Sequence, residues 1–259
     1  MRRSFGQPYI VFHQEHTTGP VLSNILDPVS TADESLTPWS KMYAKDKYAR
    51  DRVMLSARLL LHYLKDNDLV LDVGCFTQEA KKYYPTWIKY LGIDQAKYHR
   101  DTQVVDLNHG FEPIPCQAAL CLETLEHLLD PEDTLESIYQ SLPEAGYLVV
   151  SLPNENTLFH RIRALFGKAD AECFSGKGKH LHLPSLSQSR AFLTGKFHVE
   201  NELYYISPSA CGSQQAWFGK LLSLVPDRVH QLLADWRPSL FARGFIFLLK
   251  KHTPTPPSP

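Results

Sequence analysis

The sequence predicts an α/β protein built on a doubly wound parallel sheet with helices on both faces. Three observations carry this expectation. Leu69–Val73 is an apolar run holding one acid, the pattern of a strand covered on both sides, and it runs into a turn at Gly74. Strand-like and helix-like segments then alternate as far as Ser151. Acids close successive strands at Asp72, Asp94 and Asp106, so the three would converge on one edge of the sheet.

Residues 1–37 read as an irregular arm broken by Pro8, Gly19, Pro20 and Pro28, in which Tyr9–Phe12 can pair as a short edge strand. A single domain is expected over residues 38–251. Pro38-Trp39-Ser40 opens a helical stretch where Leu55, Leu59, Leu60, Tyr63 and Leu64 recur at three- and four-residue spacing, up to Asp66-Asn67-Asp68. It would pack on the sheet, with Tyr43, Tyr48 and Arg50 either capping a pocket or serving as ordinary core and surface residues. Gln78–Tyr84 reads as a short helix stopped by Pro85, and strands follow at 88–94, 102–106 and 118–122. Asp130-Pro131-Glu132-Asp133 starts a helix, with proline in its first turn and acids where the helix dipole favours them.

That helix reaches Leu142, and Gly146–Ser151 is the fifth strand. Leu158, Ile162, Leu165 and Phe166 then mark an amphipathic helix, followed by a Lys-, Gly- and His-rich loop from Gly167 to His182. Residues 155–183 thus read as a basic insertion, and long loops in compact domains are commonly functional. A helix is expected over Leu186–Leu193, a sixth strand over Phe197–Ile206, two helical pieces in Trp217–Leu233 broken at Pro226, and a final strand over Phe241–Leu249. The proline-rich residues 252–259 cannot pack and are expected to be disordered.

Composition narrows the function. A formal net charge of −1 argues against a dedicated nucleic-acid binder. Cys75, Cys116, Cys121, Cys173 and Cys211 are odd in number and form no CxxC pair, which favours free thiols in a reducing compartment over a disulfide framework or structural zinc. No apolar run approaches the ~20 residues of a membrane span, and the N-terminus lacks a signal-peptide core. A cytoplasmic protein is expected.

The chemistry points to a nucleoside. Gly74 offers a turn position without a Cβ, where backbone can approach a ligand. Asp94 follows it by about twenty residues, the place where an acid accepts both ribose hydroxyls. Alternatively, Asp72 and Asp106 cap adjacent loops. No Gly-x-Gly-x-x-Gly follows Val73, so a nicotinamide-dependent dehydrogenase is disfavoured. His127, after the fourth strand, is the candidate for moving a proton, with Glu126 beside it, since imidazole titrates near neutrality. A backbone-bonded histidine at a helix start is the competing reading. Arg161, Arg163, Lys168, Lys177, Lys179, His180 and His182 suggest either an anionic substrate or a solvated basic loop.

Four ordered segments carry a family resemblance: Val70-Leu71-Asp72-Val73-Gly74-Cys75, Gly92-Ile93-Asp94, Cys121-Leu122-Glu123-Thr124-Leu125-Glu126-His127-Leu128, and Gly146 through Leu152-Pro153-Asn154. Together they resemble the class I S-adenosylmethionine-dependent methyltransferases. The Glu-His-Leu and Leu-Pro-Asn pieces are similar to the ubiquinone-biosynthesis and methionine-biosynthesis-protein-W-like branch. The resemblance implies a Rossmann-like, seven-stranded, mostly parallel sheet with an antiparallel final strand. It implies that Asp72, Gly74 and Cys75 form the cofactor turn and that Asp94, with Gln95, holds the ribose. Asp106 and Leu107 would flank the adenine, and Leu122 and Glu123 would lie beneath the sulfonium.

The family turn is usually Gly-x-Gly-x-Gly, whereas this chain has Gly74-Cys75-Phe76-Thr77-Gln78. A side chain at Phe76 would either obstruct the cofactor or point away in a rearranged turn. Two functions follow: a methyltransferase acting at oxygen on a small molecule or a glycan or lipid precursor, or a degenerate methyltransferase fold serving as a binding or scaffold module. Some similar enzymes hold a divalent metal with Glu-x-x-Glu-His. Glu123, Glu126 and His127 would share one helix face at that spacing, with His182 closing the set; a metal is not favoured.

Overall fold

A computed structural model describes residues 47–167, 180–205 and 226–252. The N-terminal arm, the helix start at Pro38, Tyr43, the side chain of Tyr48, Lys168, Lys177, Lys179, Cys173, Cys211, the Trp217 helical piece and most of the C-terminal tail lie outside those residues.

The elements are α1 (Lys47–Leu61), β1 (Leu69–Val73), β2 (Lys89–Asp94), β3 (Gln103–Val104), β4 (Ala118–Leu122), α2 (Pro131–Ser141), β5 (Tyr147–Pro153), α3 (Leu158–Leu165), α4 (Leu186–Thr194), β6 (Phe197–Tyr205), α5 (Asp227–Trp236), α6 (Pro238–Phe241) and β7 (Gly244–Lys251). They build a seven-stranded sheet in the order β3-β2-β1-β4-β5-β7-β6. β7 runs antiparallel to β5 and β6, and the other pairings are parallel. The fold expected from the sequence is therefore present, including its antiparallel last strand.

Alternation along the strands splits the core into two layers. Leu71 and Val73 of β1 pack with Leu135 and Ile138 of α2 and with Leu186 and Leu193 of α4. Val70 points the other way, into a layer with Val53, Leu59 and Leu60 of α1. α1 ends at Leu61, earlier than the apolar spacing suggested, and Tyr63 instead stacks on Tyr147 with ring centroids 3.9 Å apart. Asp130 caps α2 by accepting the Asp133 N–H at 3.4 Å, and Pro131 opens its first turn. Gln78–Tyr84 is a 3-10 turn over Glu79–Tyr83. β3 shrinks to two exposed residues at the sheet edge, which leaves Asp106 beyond it.

Asp72 sits second to last in β1, so it shares the face of Val70 and enters the α1 layer. There it is 4% exposed and accepts a hydrogen bond from the Tyr90 hydroxyl. Burial raises its carboxyl to about 7, against the opposing pull of Tyr90. A raised folded-state value means stability that is complete below the unfolded value of about 3.9 and is lost as pH rises through about 7. Asp72→Asn should flatten that loss, on the order of 4 kcal/mol, in urea titrations from about pH 4 to about pH 8. An unchanged slope would show that Asp72 is ionised throughout.

Candidate active site

The carboxyl ends of β1, β2 and β4 enclose the candidate site. Gly74 and Cys75 donate their N–H groups to the Ile93 carbonyl at 2.9 and 3.1 Å, which ties the turn to β2. Gly74, Phe76 and Gln78 all have positive φ, at 74°, 45° and 58°. The turn thus has positive φ at all three positions where the resembling family has glycine. A non-glycine residue there costs roughly 1–2 kcal/mol. The surroundings offset it: the Phe76 N–H donates to Asp94 Oδ2 at 2.9 Å and its ring lies 4.6 Å from that of Tyr98, while Gln78 Nε2 donates to Thr102 Oγ1 at 3.2 Å.

Glycine at 74 is required for packing. A Cβ there would come within 2.2 Å of Thr124 Oγ1, so the turn and the segment after β4 are locked face to face.

The sequence-derived cofactor residues separate on inspection. Asp94 ends β2, is 7% exposed, and accepts the N–H groups of Phe76 and Ala96 at 2.9 and 3.2 Å. Burial raises its carboxyl above the ordinary range, opposed by those backbone bonds. Gln95 beside it is exposed, and Leu122 at the end of β4 is half-buried. Asp72 does not reach the edge, because its side chain lies in the α1 layer. Cys75 is buried, with Sγ 3.7 Å from Thr102 Oγ1. Asp106 is exposed and caps its own loop, accepting the Asn108 N–H at 3.0 Å, and Leu107 is buried in the core. The three acids therefore do not converge on one cleft.

The segment after β4 corrects a second expectation. Glu123 has φ of 50°, and the helical turn covers only Leu125–His127, so Glu123, Glu126 and His127 share no helix face. Glu123 turns toward α1, where Oε2 lies 3.0 Å from the Arg52 guanidinium; Oε1 accepts from Tyr205 at 3.1 Å and Ser151 at 3.3 Å. Glu126 turns the other way. Its side chain is fully buried, neither carboxyl oxygen has a hydrogen-bond partner, and Oε1 is 3.8 Å from His127 Nε2. Burial first, and then the charge on Glu123, push the Glu126 carboxyl well above its usual range.

The His127 ring meets that of His180 at 4.8 Å, and His180 Nδ1 is 3.2 Å from Glu155, whose other oxygen is 3.6 Å from His160 Nε2. The His180 bond holds the Glu155 carboxyl below its usual range. Glu126, His127 and His180 bring their donor atoms within 4.8 Å of one another, the spacing of a cation site. Glu123 is engaged with Arg52, and His182 Nε2 bonds the Leu128 carbonyl at 2.9 Å, so neither completes the metal set suggested by the sequence. An ion at this place would meet a carboxyl whose charged form burial disfavours.

Arg52, Glu155 and Tyr205 were not singled out from sequence. Arg52 sits at i−3 from Leu55 on the apolar stripe of α1, and Glu155 lies two residues past the end of β5; those positions were the available signals. Arg161 and Arg163 are occupied on α3, the first by the Asn156 carbonyl at 2.8 Å and the second over the Phe159 ring at 5.7 Å.

A family model described as a methyltransferase domain matches residues 45–193. The chain belongs to that methyltransferase family. Among curated protein sequences none matches it. Solved structures supply the fold likeness. A methyltransferase from Archaeoglobus fulgidus shares 17% identity at a TM-score of 0.50, covering 82% of this chain and 99% of its own. A methyltransferase from Thermotoga maritima shares 14% at 0.52, covering 83% and 95%. The N-methyltransferase NodS from Bradyrhizobium japonicum, solved with S-adenosylhomocysteine, shares 11% at 0.50, covering 82% and 91%. The methyltransferase here has the class I S-adenosylmethionine-dependent fold.

The left-handed turn of this methyltransferase makes a direct prediction. Phe76→Gly should be more stable than Phe76→Val by about 1–2 kcal/mol in urea unfolding, because a β-branched residue is poorly tolerated at positive φ. Equal stabilities would mean that position 76 is right-handed in solution.

Proposed function

We propose that the chain is an S-adenosylmethionine-dependent methyltransferase acting at an oxygen of a small molecule or a glycan or lipid precursor. The observation that carries the reading is the pairing of two features at one sheet edge. Asp94, fixed by two backbone amides, is placed for a ribose, and the Glu126–His127–His180 group stands at the end of β4. The residues present fit the nucleoside end of the cofactor: the turn holds its left-handed path, and a partly buried carboxylate at the β2 end suits a ribose diol. That fit favours a working cofactor site over a degenerate scaffold.

In this reading Asp94 holds the ribose, Gln95 borders the nucleoside, and Leu122 and the backbone at Glu123 floor the methionine end. Bound S-adenosylmethionine supplies an electrophilic methyl group. His127 takes the proton released by the acceptor oxygen, with the buried Glu126 carboxyl beside it. Glu155 orients His180 against His127. Holding acceptor and donor in line supplies most of the rest. The proposal treats residues 38–251 as one domain with 155–183 shaping the acceptor side, and places the protein in the cytoplasm; no helix among the described residues is long and apolar enough to cross a membrane.

The test is transfer of labelled methyl from S-adenosylmethionine to a panel of hydroxylated small molecules. His127→Ala should lower kcat by about 10²–10⁴-fold while leaving S-adenosylhomocysteine affinity within about twofold. An unchanged kcat at every pH would remove His127 from the proton step.

A further inference from the structure

Two helices that both touch α6 turn apolar rows outward. Leu158, Ile162 and Leu165 of α3, with Phe166 just after it, recur at helical spacing and fall on one face. All four are exposed, Leu165 by 82% and Phe166 by 74%. A surface helix ordinarily turns such a stripe to the core, yet no residue of α3 is buried. The helix meets the body through polar groups instead: His160 Nε2 lies 3.6 Å from Glu155, and Arg161 Nε donates to the Asn156 carbonyl at 2.8 Å. On α5, Val229, Leu232 and Trp236 form a second exposed row, while Gln231 and Ala234 are buried. Asn154 fixes the end of α6 by donating from Nδ2 to the Ala242 carbonyl at 2.8 Å.

We propose that the α3 and α5 rows dock on an anionic membrane surface, with their apolar side chains among the lipid tails. The charges on both helices favour that occupant. α3 carries no acid, and Arg161 and Arg163 stand one residue to either side of Ile162, hence on both flanks of its row. On α5, Arg228 precedes Val229, and the guanidinium of Arg237 lies 5.4 Å from the centre of the Trp236 ring. Of the two acids there, Asp227 opens the helix and Asp235 accepts from Gln231 at 2.9 Å. An apolar row bordered by arginines, with a tryptophan at one end, is the side-chain order of an interfacial helix. Arginine also matches the phosphate of a lipid headgroup. At eight and ten residues the helices are far too short to cross a bilayer, so they lie on it. The docking does not rest on the methyltransferase reading. Drawing the methyl acceptor from the bilayer would rest on it, since His160 of α3 adjoins Glu155 of the candidate site.

The full chain is sedimented with vesicles of phosphatidylcholine alone and of phosphatidylcholine mixed with phosphatidylserine. Partition onto the mixed vesicles should exceed that onto the neutral ones by at least about tenfold and should fall as salt is raised. Leu165→Ser combined with Phe166→Ser should weaken it by at least about tenfold, and both side chains are exposed, so little packing is lost. Trp236→Ser should also weaken it and stands in should the double variant fail to fold. No binding to the mixed vesicles, equal partition onto the two kinds, or variants that bind as the unaltered chain does would overturn the proposal. Sedimentation velocity without lipid reads the competing occupant. A dimer that the double variant dissociates would assign the face to a second copy of this chain and overturn the membrane proposal. A separate titration with S-adenosylhomocysteine reports on the methyltransferase reading; its failure would leave a positive vesicle result standing.

Discussion

The ion pair between Arg52 and Glu123 ties α1 to the end of β4, and the arrangement of the site follows from it. Arg52 is 6% and Glu123 19% exposed, so two charges are held out of water and must satisfy each other. Removing one partner of such a pair typically costs about 3–5 kcal/mol. Tyr205 and Ser151 bond the other Glu123 oxygen, which brings the ends of β5 and β6 into the same knot. Tyr205 can lie there because Gly244 opens β7; a Cβ at 244 would stand 2.0 Å from the Tyr205 hydroxyl. With Glu123 drawn toward α1, its backbone adopts positive φ, and the next residues leave the strand in the opposite direction.

That reversal separates two acids that are three residues apart. Glu123 becomes a structural anion with full partners. Glu126 is carried to the other side of the sheet edge, into a dry setting that disfavours its charged form, next to an imidazole. The same segment supplies Thr124, which fills the space above Gly74. The turn at Gly74 and the Glu126–His127 pair are therefore fixed to each other through one short segment, and a change in either is expected to be felt by both.

The sheet was legible because its signals were redundant. β1 and β4 were bounded by apolar runs, turns and flanking acids, and α2 by its proline and cap. The site was legible only where an acid is the last residue of its strand. Asp94 is, and its side chain emerges at the edge. Asp72 is not, and the two-residue period of a strand already placed it on the Val70 face, inside the α1 layer. Asp106 depended on a longer third strand than two exposed edge residues can sustain. The Glu123–His127 spacing presupposed a helix that begins only at Leu125. Nothing local could reveal that, since a left-handed glutamate is uncommon and here follows from a partner seventy-one residues earlier in the chain. The conformation of the turn after β1 was not legible for a related reason: glycine is the usual occupant of positive φ, yet Phe76 and Gln78 hold it through contacts to Asp94, Tyr98 and Thr102.

The central claim is that this turn and Asp94 still form a nucleoside site despite the two absent glycines. Calorimetry of S-adenosylhomocysteine against the full chain and its Asp94→Ala variant tests it most directly. The account predicts saturable one-to-one binding that weakens by at least about tenfold in the variant. No binding to the unaltered chain at millimolar ligand, or equal affinity in the variant, would contradict it.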